Sequence, residues 1–349
     1  MKKYQLAVFI GRFQPLHHGH EKVINEALKI ADKVLVLVGS ADSARTLRNP
    51  FTYEERKDMI RNTFRNVNLY IAPINDYTYS DQKWIKSVHE SIDKKVSTMG
   101  WSDYPKKVCL IGHNKDSTSY YLKLFPTFDN VNVSLYDECV YTDDGSISAT
   151  IVRKFLFGHV GLRVREFVSP QTLKVIDKVR SDGHIKELTE ERKWIDQHKK
   201  MWENSPYPPI FSTADAMVVQ SGHVLVVRRK AFPSKGMLAL AGGYLNQDET
   251  VVDGGLRELK EETKIDVPMK ILRASIVTTK VFDNPNRSER GRIITHCTLI
   301  QLPDAKRLPK VVGSDDASEA FWLPLNEVSP KLFFEDHAFI IRKMMDYLK

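Results

Sequence analysis

Residues 11–20, GRFQPLHHGH, stand between a short apolar strand and a helix, and this placement constrains the fold more than any other feature of the chain. An apolar run of strand-forming residues at 6–10 precedes the segment, and a helical pattern follows from about residue 19 to 31. Residues 34–38 then form a second apolar strand, so the chain opens with a β-α-β unit of the parallel, doubly wound kind. Further strands are predicted over 69–71, 108–111 and 131–135, and helices over 53–63 and 82–96. The pattern predicts an N-terminal α/β domain with a Rossmann-like, doubly wound parallel sheet.

The length of 349 residues exceeds what one hydrophobic core usually supports, so two domains are expected. The sequence between residues 162 and 202 is strongly charged and helical in pattern, and it ends at the proline-containing stretch 205–209. Beyond it, a predicted β-hairpin over 216–229 and one helix over 250–263 among further strands indicate an α+β domain. The predicted limits are a first domain over 1–180, a charged helical connector and proline-rich linker over 181–209, and a second domain over 210–349.

Composition and charge narrow the class of protein. Hydrophobic residues make up 42% of the chain, yet no apolar run approaches the roughly 20 residues of a membrane span, and the N-terminus does not resemble a signal peptide. We therefore expect a cytoplasmic protein with no membrane partner. The net charge of +8 is spread along the chain, which suits phosphorylated small molecules and predicts no nucleic-acid partner. Cys109, Cys139 and Cys297 are too scattered for a disulfide framework or a zinc site, and the sequence leaves a homo-oligomer open.

The loop after the first strand carries groups suited to a bound triphosphate. Gly11 lets the backbone approach a phosphate closely, and the helix N-terminus near Gly19 offers free N–H groups and a positive dipole end. His17 and His20 are three residues apart, so they lie on one side of the first helical turn and can hold two triphosphate oxygens together.

A second segment far along the chain, residues 147–153 with the sequence ISATIVR, carries matching chemistry. Ser148 or Thr150 can cap a helix and bind phosphate, and Arg153 can serve as a bidentate phosphate ligand. Attack on the α-phosphorus of ATP needs in-line placement and neutralisation of the charge on the leaving pyrophosphate. Imidazolium and guanidinium groups supply that charge.

Together these segments resemble the nucleotidylyltransferase superfamily, whose HxGH and ISxTxxR motifs are both complete here. With residues 48–52, RNPFT, the resemblance is closest to nicotinamide mononucleotide (NMN) adenylyltransferases of the archaeal type, and it covers roughly residues 5–165. The resemblance implies that His17 and His20 stabilise the ATP phosphates and that Arg153 holds the β and γ phosphates. It implies that Trp84 stacks on the nicotinamide ring. The other positions it implies for binding ATP and substrate are Gly11, Arg12, Phe13, Gly19, Arg48, Ser148 and Thr150.

The second half of the chain places three glutamates on one helical face. Glu258, Glu261 and Glu262 fall at i, i+3 and i+4 and would repel one another unless cations lay between them. Oxygen ligands of this kind suit Mg²⁺ or Mn²⁺, which also bridge diphosphates and activate water. Arg257 and Glu249 are placed to pair and fix this scaffold.

From Gly243 onward the sequence resembles the Nudix box, GX5EX7REUXEEXGU, at every position except one, where Lys264 replaces the usual glycine. The resemblance implies that Glu258 and Glu262 are metal ligands, joined by the Gly243 carbonyl, and that Glu261 is a further ligand or the general base. The missing glycine usually serves the helix end, so we expect a changed C-cap more than a lost activity.

The combination resembles bifunctional enzymes of NAD metabolism, which implies adenylyl transfer from ATP to NMN and hydrolysis of ADP-ribose to AMP and ribose 5-phosphate. Residues 283–292 resemble a segment common in Nudix hydrolases of ADP-ribose, although an ordinary polar loop fits equally. Within it, Arg287, Arg290 and Arg292 are candidate donors to a terminal ribose.

Two alternatives stay open. One is another nucleotidylyltransferase, for instance one acting on pantetheine phosphate, with a general Nudix nucleotide-cleaning domain attached. The other is a Nudix ligand sensor that regulates transcription, against which the intact glutamate set argues.

Overall fold

The computed structural model describes residues 2–65, 68–101, 104–113, 124–134, 147–158 and 161–348. The chain divides into two compact units, Met1–Thr189 and Glu190–Lys349. The division falls inside a helix, within the stretch predicted as a connector. Each unit has its own hydrophobic core.

The first unit contains a sheet of five strands, which are β1 (Tyr4–Gly11), β2 (Ala31–Val38), β3 (Leu69–Pro73), β4 (Val108–Gly112) and β5 (Asp129–Asn132). All neighbouring pairs are parallel, and the order across the sheet is β3-β2-β1-β4-β5. The central strands are almost wholly apolar and buried, as is typical of a parallel sheet. This order confirms the predicted doubly wound, Rossmann-like architecture.

Strand β5 begins two residues before the strand predicted over 131–135. Its register pairs Asp129 with Cys109 and Val131 with Ile111. Because β5 is an edge strand with three of its four residues exposed, polar residues occupy it and the apolar pattern misplaced its start. Residue 135 lies outside the described residues.

The helices of the first unit are α1 (His18–Ile30), α2 (Tyr53–Thr63), α3 (Asp81–Val96), α4 (Ala149–Phe157) and α5 (Pro170–Ser181), and α6 (His184–Lys200) crosses the division between the units. Hydroxyl side chains fix several helix starts. Thr52 and Glu55 form a capping box at α2, while Ser148 and Ser169 cap α4 and α5. The Ser148 cap was one of the two options that the sequence left open.

The second unit contains the strands β6 (Ile210–Gln220), β7 (His223–Arg229), β8 (Leu238–Ala239), β9 (Ala241–Tyr244), β10 (Ile276–Phe282), β11 (Arg292–Gln301) and β12 (Ala317–Pro324), with the helices α7 (Val251–Thr263), α8 (Met269–Ala274) and α9 (His337–Met344). The sheet order is β10-β11-β6-β7-β12, with β8 paired to β7 and β9 to β6. Only the β11–β6 pair is parallel among the described strands of this sheet, so it is mixed, as predicted for an α+β domain. Ser221 and Gly222 both have positive φ, as the two-residue turn of the predicted hairpin requires.

No helix within the described ranges is long and apolar enough to cross a membrane.

Candidate active sites

The loop after β1 lies at the carboxyl edge of the parallel sheet. The chain passes from β1 outward through β2 and β3, and then returns to place β4 on the other side of β1. This reversal makes the carboxyl end of β1 the position where doubly wound sheets bind nucleotides. The Gly39 N–H, just after β2, donates to the Gly11 carbonyl at 2.8 Å and holds the two strand ends together.

The two histidines of the loop stack on each other at the start of α1. Their ring centroids are 3.7 Å apart with 27° between the planes. A Cβ at Gly19 would lie 3.1 Å from the His17 ring and 3.2 Å from Ile147, so a larger residue would require these side chains to shift. Because Ile147 begins the second motif, the structure brings the two distant segments together. Burial lowers the pKa of His20 to about 3, so at pH 7 its ring is neutral and is not the imidazolium expected from the sequence.

Arg153 links the second motif to the first. Its Nη1 donates to the Gln14 carbonyl at 3.0 Å, and its Nη2 to the Thr150 hydroxyl at 3.3 Å. Ser148 is occupied by its capping role, since its hydroxyl accepts the Ile151 N–H at 3.4 Å. Arg153 and Thr150 therefore belong to the same group of side chains as the loop after β1.

Arg12 is close enough to Arg48 and Arg153 to interact with them electrostatically. Burial, followed by repulsion from Arg48 and Arg153, lowers the pKa of Arg12 to about 10. Asp76 offsets part of this repulsion, and a bound anion would offset more of it.

Two aromatic residues that the sequence assigned to binding have different surroundings. The Phe13 ring is buried, lies against Gly11 and is 4.8 Å from the His20 ring, so its side chain supports the histidine pair. Trp84 lies in the first turn of α3, half-buried, with its ring edge-on to Phe125 at 5.8 Å.

In the second unit, Arg257 organises the carboxylates of α7. It forms the predicted pair with Glu249 through two bonds, Nε to Oε2 at 2.9 Å and Nη2 to Oε1 at 2.7 Å. Its Nη1 also donates to Glu258 at 2.8 Å and to Glu261 at 2.9 Å. Arg257 thus fixes both glutamates from the same side.

Glu258 and Glu262, the two predicted metal ligands, both lie close to the backbone of β9. A Cβ at Gly243 would clash with Glu258 Oε1, so that carboxylate lies directly against the Gly243 backbone. Glu262 accepts the Gly242 N–H at 3.1 Å, and burial raises its pKa to about 8. Burial also raises the pKa of Glu258. Glu262 is buried and Glu258 is partly buried, and carboxylate oxygens are donors that Mg²⁺ or Mn²⁺ prefers.

Glu261 is placed differently from these two. Its side chain is more exposed than those of its neighbours and bonds to Arg257. Over the part of the chain that the structure describes, no three acidic, histidine or cysteine side chains already converge as a ligand set. Glu258 and Glu262, and not Glu261, are thus the carboxylates that lie against the Gly242–Gly243 backbone.

Comparison with known proteins separates the chain into the same two parts. Residues 8–155 match the cytidylyltransferase-like family model, and residues 211–346 match the NUDIX domain model. The nicotinamide/nicotinic acid mononucleotide adenylyltransferase of Acinetobacter baylyi is 38% identical over 157 residues, which are 44% of this chain and 76% of that protein. The ADP-ribose pyrophosphatase of Methanocaldococcus jannaschii is 34% identical over 131 residues, which are 38% of this chain and 70% of that protein.

A solved structure similar to this chain spans both parts. It is a bifunctional NMN adenylyltransferase/ADP-ribose pyrophosphatase from Francisella tularensis, complexed with AMP and a manganese ion, 31% identical, with a TM-score of 0.86 over 98% of this chain and 99% of that one. The chain belongs to this bifunctional family.

In the chain described here, Lys264 occupies the position of the missing Nudix-box glycine. It is the C-cap of α7 and adopts the left-handed conformation with φ 45°. Its N–H donates to the Lys260 carbonyl at 3.1 Å, as in a helix ended by glycine. The helix end is therefore kept, with a backbone conformation that a lysine adopts at some cost.

Sequence reasoning missed the residues that hold the first site of this bifunctional chain in place. Arg56, 1% exposed, donates to the carbonyls of Arg12 at 2.7 Å, of Ser40 at 3.0 Å and of Gly39. Gln14 exchanges two hydrogen bonds with the Phe51 backbone at 2.8 and 2.9 Å. No local signal marks Arg56, since a charged residue in a helix ordinarily faces solvent.

The three arginines predicted to donate hydrogen bonds to a ribose have different surroundings in the structure. The Arg287 side chain is 2% exposed and is committed to Asp336 by two bonds of 2.8 and 3.0 Å. This pair is structural, because the guanidinium faces a buried carboxylate and not the surface. Arg290 lies between aromatic rings, 5.9 Å from Tyr244 and 5.4 Å from Phe334. Arg292 is more exposed and pairs with Asp283.

Proposed function

We propose that the first unit transfers an adenylyl group from ATP to NMN, releasing NAD and pyrophosphate, and that the second hydrolyses ADP-ribose to AMP and ribose 5-phosphate. The observation that carries the first activity is the contact between the two motifs: Arg153 donates to the Gln14 carbonyl at 3.0 Å, and Gly19, beside the stacked histidines, lies against Ile147. We assign the activities to residues 1–180 and 210–349, with 181–209 as the connector. ATP and NAD are cytoplasmic metabolites, so we place the protein in the cytoplasm.

In adenylyl transfer, an NMN phosphate oxygen attacks the α-phosphorus of ATP, and the bond to the bridging oxygen breaks to release pyrophosphate. No covalent enzyme intermediate is needed, so the residues act by placement and charge. His17 and His20 orient the triphosphate at the start of α1, and Arg153 holds its β and γ phosphates. Arg12 and Arg48 hold substrate phosphates, and Gly11 and Gly19 let the backbone approach.

In hydrolysis, water attacks one phosphorus of ADP-ribose and the diphosphate bridge breaks. Glu258, Glu262 and the Gly243 carbonyl would hold Mg²⁺ or Mn²⁺, which neutralises the diphosphate and lowers the pKa of water when bound. Glu261 accepts the proton of the attacking water, and Arg257 keeps Glu258 and Glu261 oriented.

Product identification tests both activities. The purified full chain is incubated with Mg²⁺ or Mn²⁺, ATP and either NMN, its acid analogue or pantetheine phosphate, and separately with ADP-ribose, NAD or an oxidised deoxynucleoside triphosphate. We expect NAD from ATP and NMN, and the highest kcat/KM in hydrolysis for ADP-ribose. Faster turnover of NAD or of the oxidised nucleotide with both metals would reduce the second assignment to a metal-dependent diphosphate hydrolase.

A further inference from the structure

A groove on the first unit lies between the end of α2 and one face of α5, and none of its lining residues belongs to the two candidate active sites. It encloses about 540 Å³, within the roughly 300–1,000 Å³ of sites that bind small molecules. Three of its lining residues are cationic, two carry amides, and none within the described part of the chain is acidic. The cations are Arg65, Lys174 and Lys178, and the amides are Asn62 and Gln171. We call this surface the basic groove.

The α5 side of the basic groove is a single stripe of the helix. Gln171, Lys174, Val175 and Lys178 are spaced at i, i+3, i+4 and i+7, so their side chains share one face. Lys174 and Lys178 are both exposed. Their like charges, four residues apart, repel each other and disfavour the helix. An anion bound between the two lysines removes this cost.

The cations of the basic groove lack the acidic partners that basic residues have on neighbouring helices. On α1, for instance, Lys29 pairs with Glu26 one turn away at 2.7 Å. The acidic residue of α5, Asp177, bonds to Arg180 at 2.6 Å. Over the ranges that the structure describes, the three groove cations have no ion-pair partner. Their charge is therefore available to a ligand.

Hydroxyl contacts hold the two helices together beneath the basic groove. The Thr63 hydroxyl lies 3.2 Å from the Ser169 hydroxyl and donates to the Met59 carbonyl at 2.8 Å. Ser169 in turn caps α5. These contacts tie the end of α2 to the start of α5. The cations thus lie on a fixed backbone, which lowers the entropic cost of binding a ligand.

The basic groove is separate from the loop after β1. Arg56, near the start of α2, donates to the Arg12 carbonyl in that loop at 2.7 Å, whereas Asn62 and Thr63 lie in the last turn of the same helix. The rise of an α-helix places them about 10 Å further along its axis. An anion in the groove therefore has a different set of cations from a triphosphate at the stacked histidines.

We propose that the basic groove binds the phosphates of a small polyphosphate anion. Arg65, Lys174 and Lys178 are its cationic ligands, and the amides of Asn62 and Gln171 are neutral donors. Guanidinium and ammonium groups both bind phosphate oxygens strongly, and a diphosphate or triphosphate spans more of the three charges than a single phosphate does.

Two sources carry this chemistry, free polyphosphate such as pyrophosphate and a nucleoside triphosphate. The inference rests on the groove itself and not on either proposed activity. In the full chain with Arg153 intact, Lys174→Gln/Lys178→Gln should therefore keep the adenylyl transfer activity of wild type.

The test measures calorimetric binding to the full chain at low ionic strength without divalent cations. Arg153→Ala serves as the background, because it weakens phosphate binding at the candidate active site. In this background the groove variant Lys174→Gln/Lys178→Gln is compared with the control Lys94→Gln/Lys186→Gln, which removes the same charge from exposed lysines outside the groove. The ligands are pyrophosphate, tripolyphosphate, ATP and AMP.

We expect the Kd for pyrophosphate and tripolyphosphate to rise roughly tenfold in the groove variant, as the loss of two partly exposed charge contacts does. The control should stay within about twofold of the background, because screening weakens the effect of distant charges. AMP, with one phosphate, should bind more weakly than ATP. Equal Kd values for ATP and tripolyphosphate identify free polyphosphate as the ligand, and tighter ATP binding that the groove variant loses identifies the nucleotide.

An unchanged Kd for the polyphosphates in the groove variant would overturn the site. An equal loss in the control would overturn it as well, since net charge alone would then explain the binding. AMP binding as tight as ATP binding would also contradict a site built for several phosphates. Arg65→Gln provides a second variant with the same expected direction, and urea unfolding without ligand confirms that each variant is folded.

Discussion

At the residue scale, His20 is a histidine whose environment keeps it neutral. An unfolded chain binds a proton on histidine near pH 6.5, whereas burial lowers the pKa of His20 in the folded chain to about 3. Between these values the unfolded state binds more protons, so stability is fully present above pH 6.5 and is lost as the pH falls toward 3.

We predict that lowering the pH from 7 to 5 costs about 2 kcal/mol of unfolding free energy through His20. His20→Gln should remove this part of the pH dependence, because glutamine does not titrate. Urea unfolding at the two pH values measures it. A pH dependence in His20→Gln equal to that of wild type would contradict this role of His20.

Trp84 is the residue predicted to stack on the nicotinamide ring, and a single substitution tests this contact. We predict that Trp84→Ala raises the KM for NMN roughly tenfold and leaves the KM for ATP nearly unchanged, because stacking acts on one substrate only. Initial rates with each substrate varied in turn provide the measurement. Equal increases for both substrates would instead assign Trp84 to packing against Phe125.

At the element scale, α2 holds the first site together through one buried side chain. Arg56 bonds to three backbone carbonyls at the ends of β1 and β2, and its removal leaves them buried without donors. We predict that Arg56→Ala lowers the unfolding free energy by about 3–5 kcal/mol. Urea unfolding tests this, with Arg61→Ala on the exposed side of α2 as the control. A loss of unfolding free energy of similar size in both variants would contradict the role of Arg56 in holding these three carbonyls.

At the end of α7, a substitution is expected to raise the free energy of unfolding instead of lowering it. Lys264 carries a left-handed backbone that glycine adopts without strain. We predict that Lys264→Gly raises the unfolding free energy by about 0.5–1 kcal/mol, while Lys264→Ala, which keeps the Cβ, gives no such gain. Thermal unfolding of the three proteins decides the question, and hydrolase activity should persist in all of them.

At the scale of the whole molecule, the two motif sets lie in separate compact units. We predict that His20→Ala abolishes adenylyl transfer and leaves hydrolysis of ADP-ribose nearly intact, and that Glu262→Gln does the reverse. Both activities are assayed on the same preparations, with circular dichroism to confirm folding. Loss of both activities in either folded variant would contradict two independent sites.

The sequence alone determined the chemistry and the class of each half. These features are the strand–loop–helix opening, the two adenylyltransferase motifs and the glutamate spacing of α7. Each involves residues close together in the sequence, and the spacing of such residues determines which of them share one face of a helix or strand. The Arg257–Glu249 pair could be predicted for the same reason, since a loop and the helix it enters lie close together.

Only the tertiary structure decided which distant residues meet. Arg56 reaches the loop after β1, Arg287 faces Asp336 instead of a ribose, and Trp202 joins Phe211 and Tyr244 beside the carboxylates. An arginine in a helix or a loop looks the same in sequence whether it faces solvent, a buried carboxylate or a ligand. Its role depends on which groups the packed sheet and helices bring within hydrogen-bonding distance. Those groups belong to segments far apart in the sequence, so no single segment reveals the role.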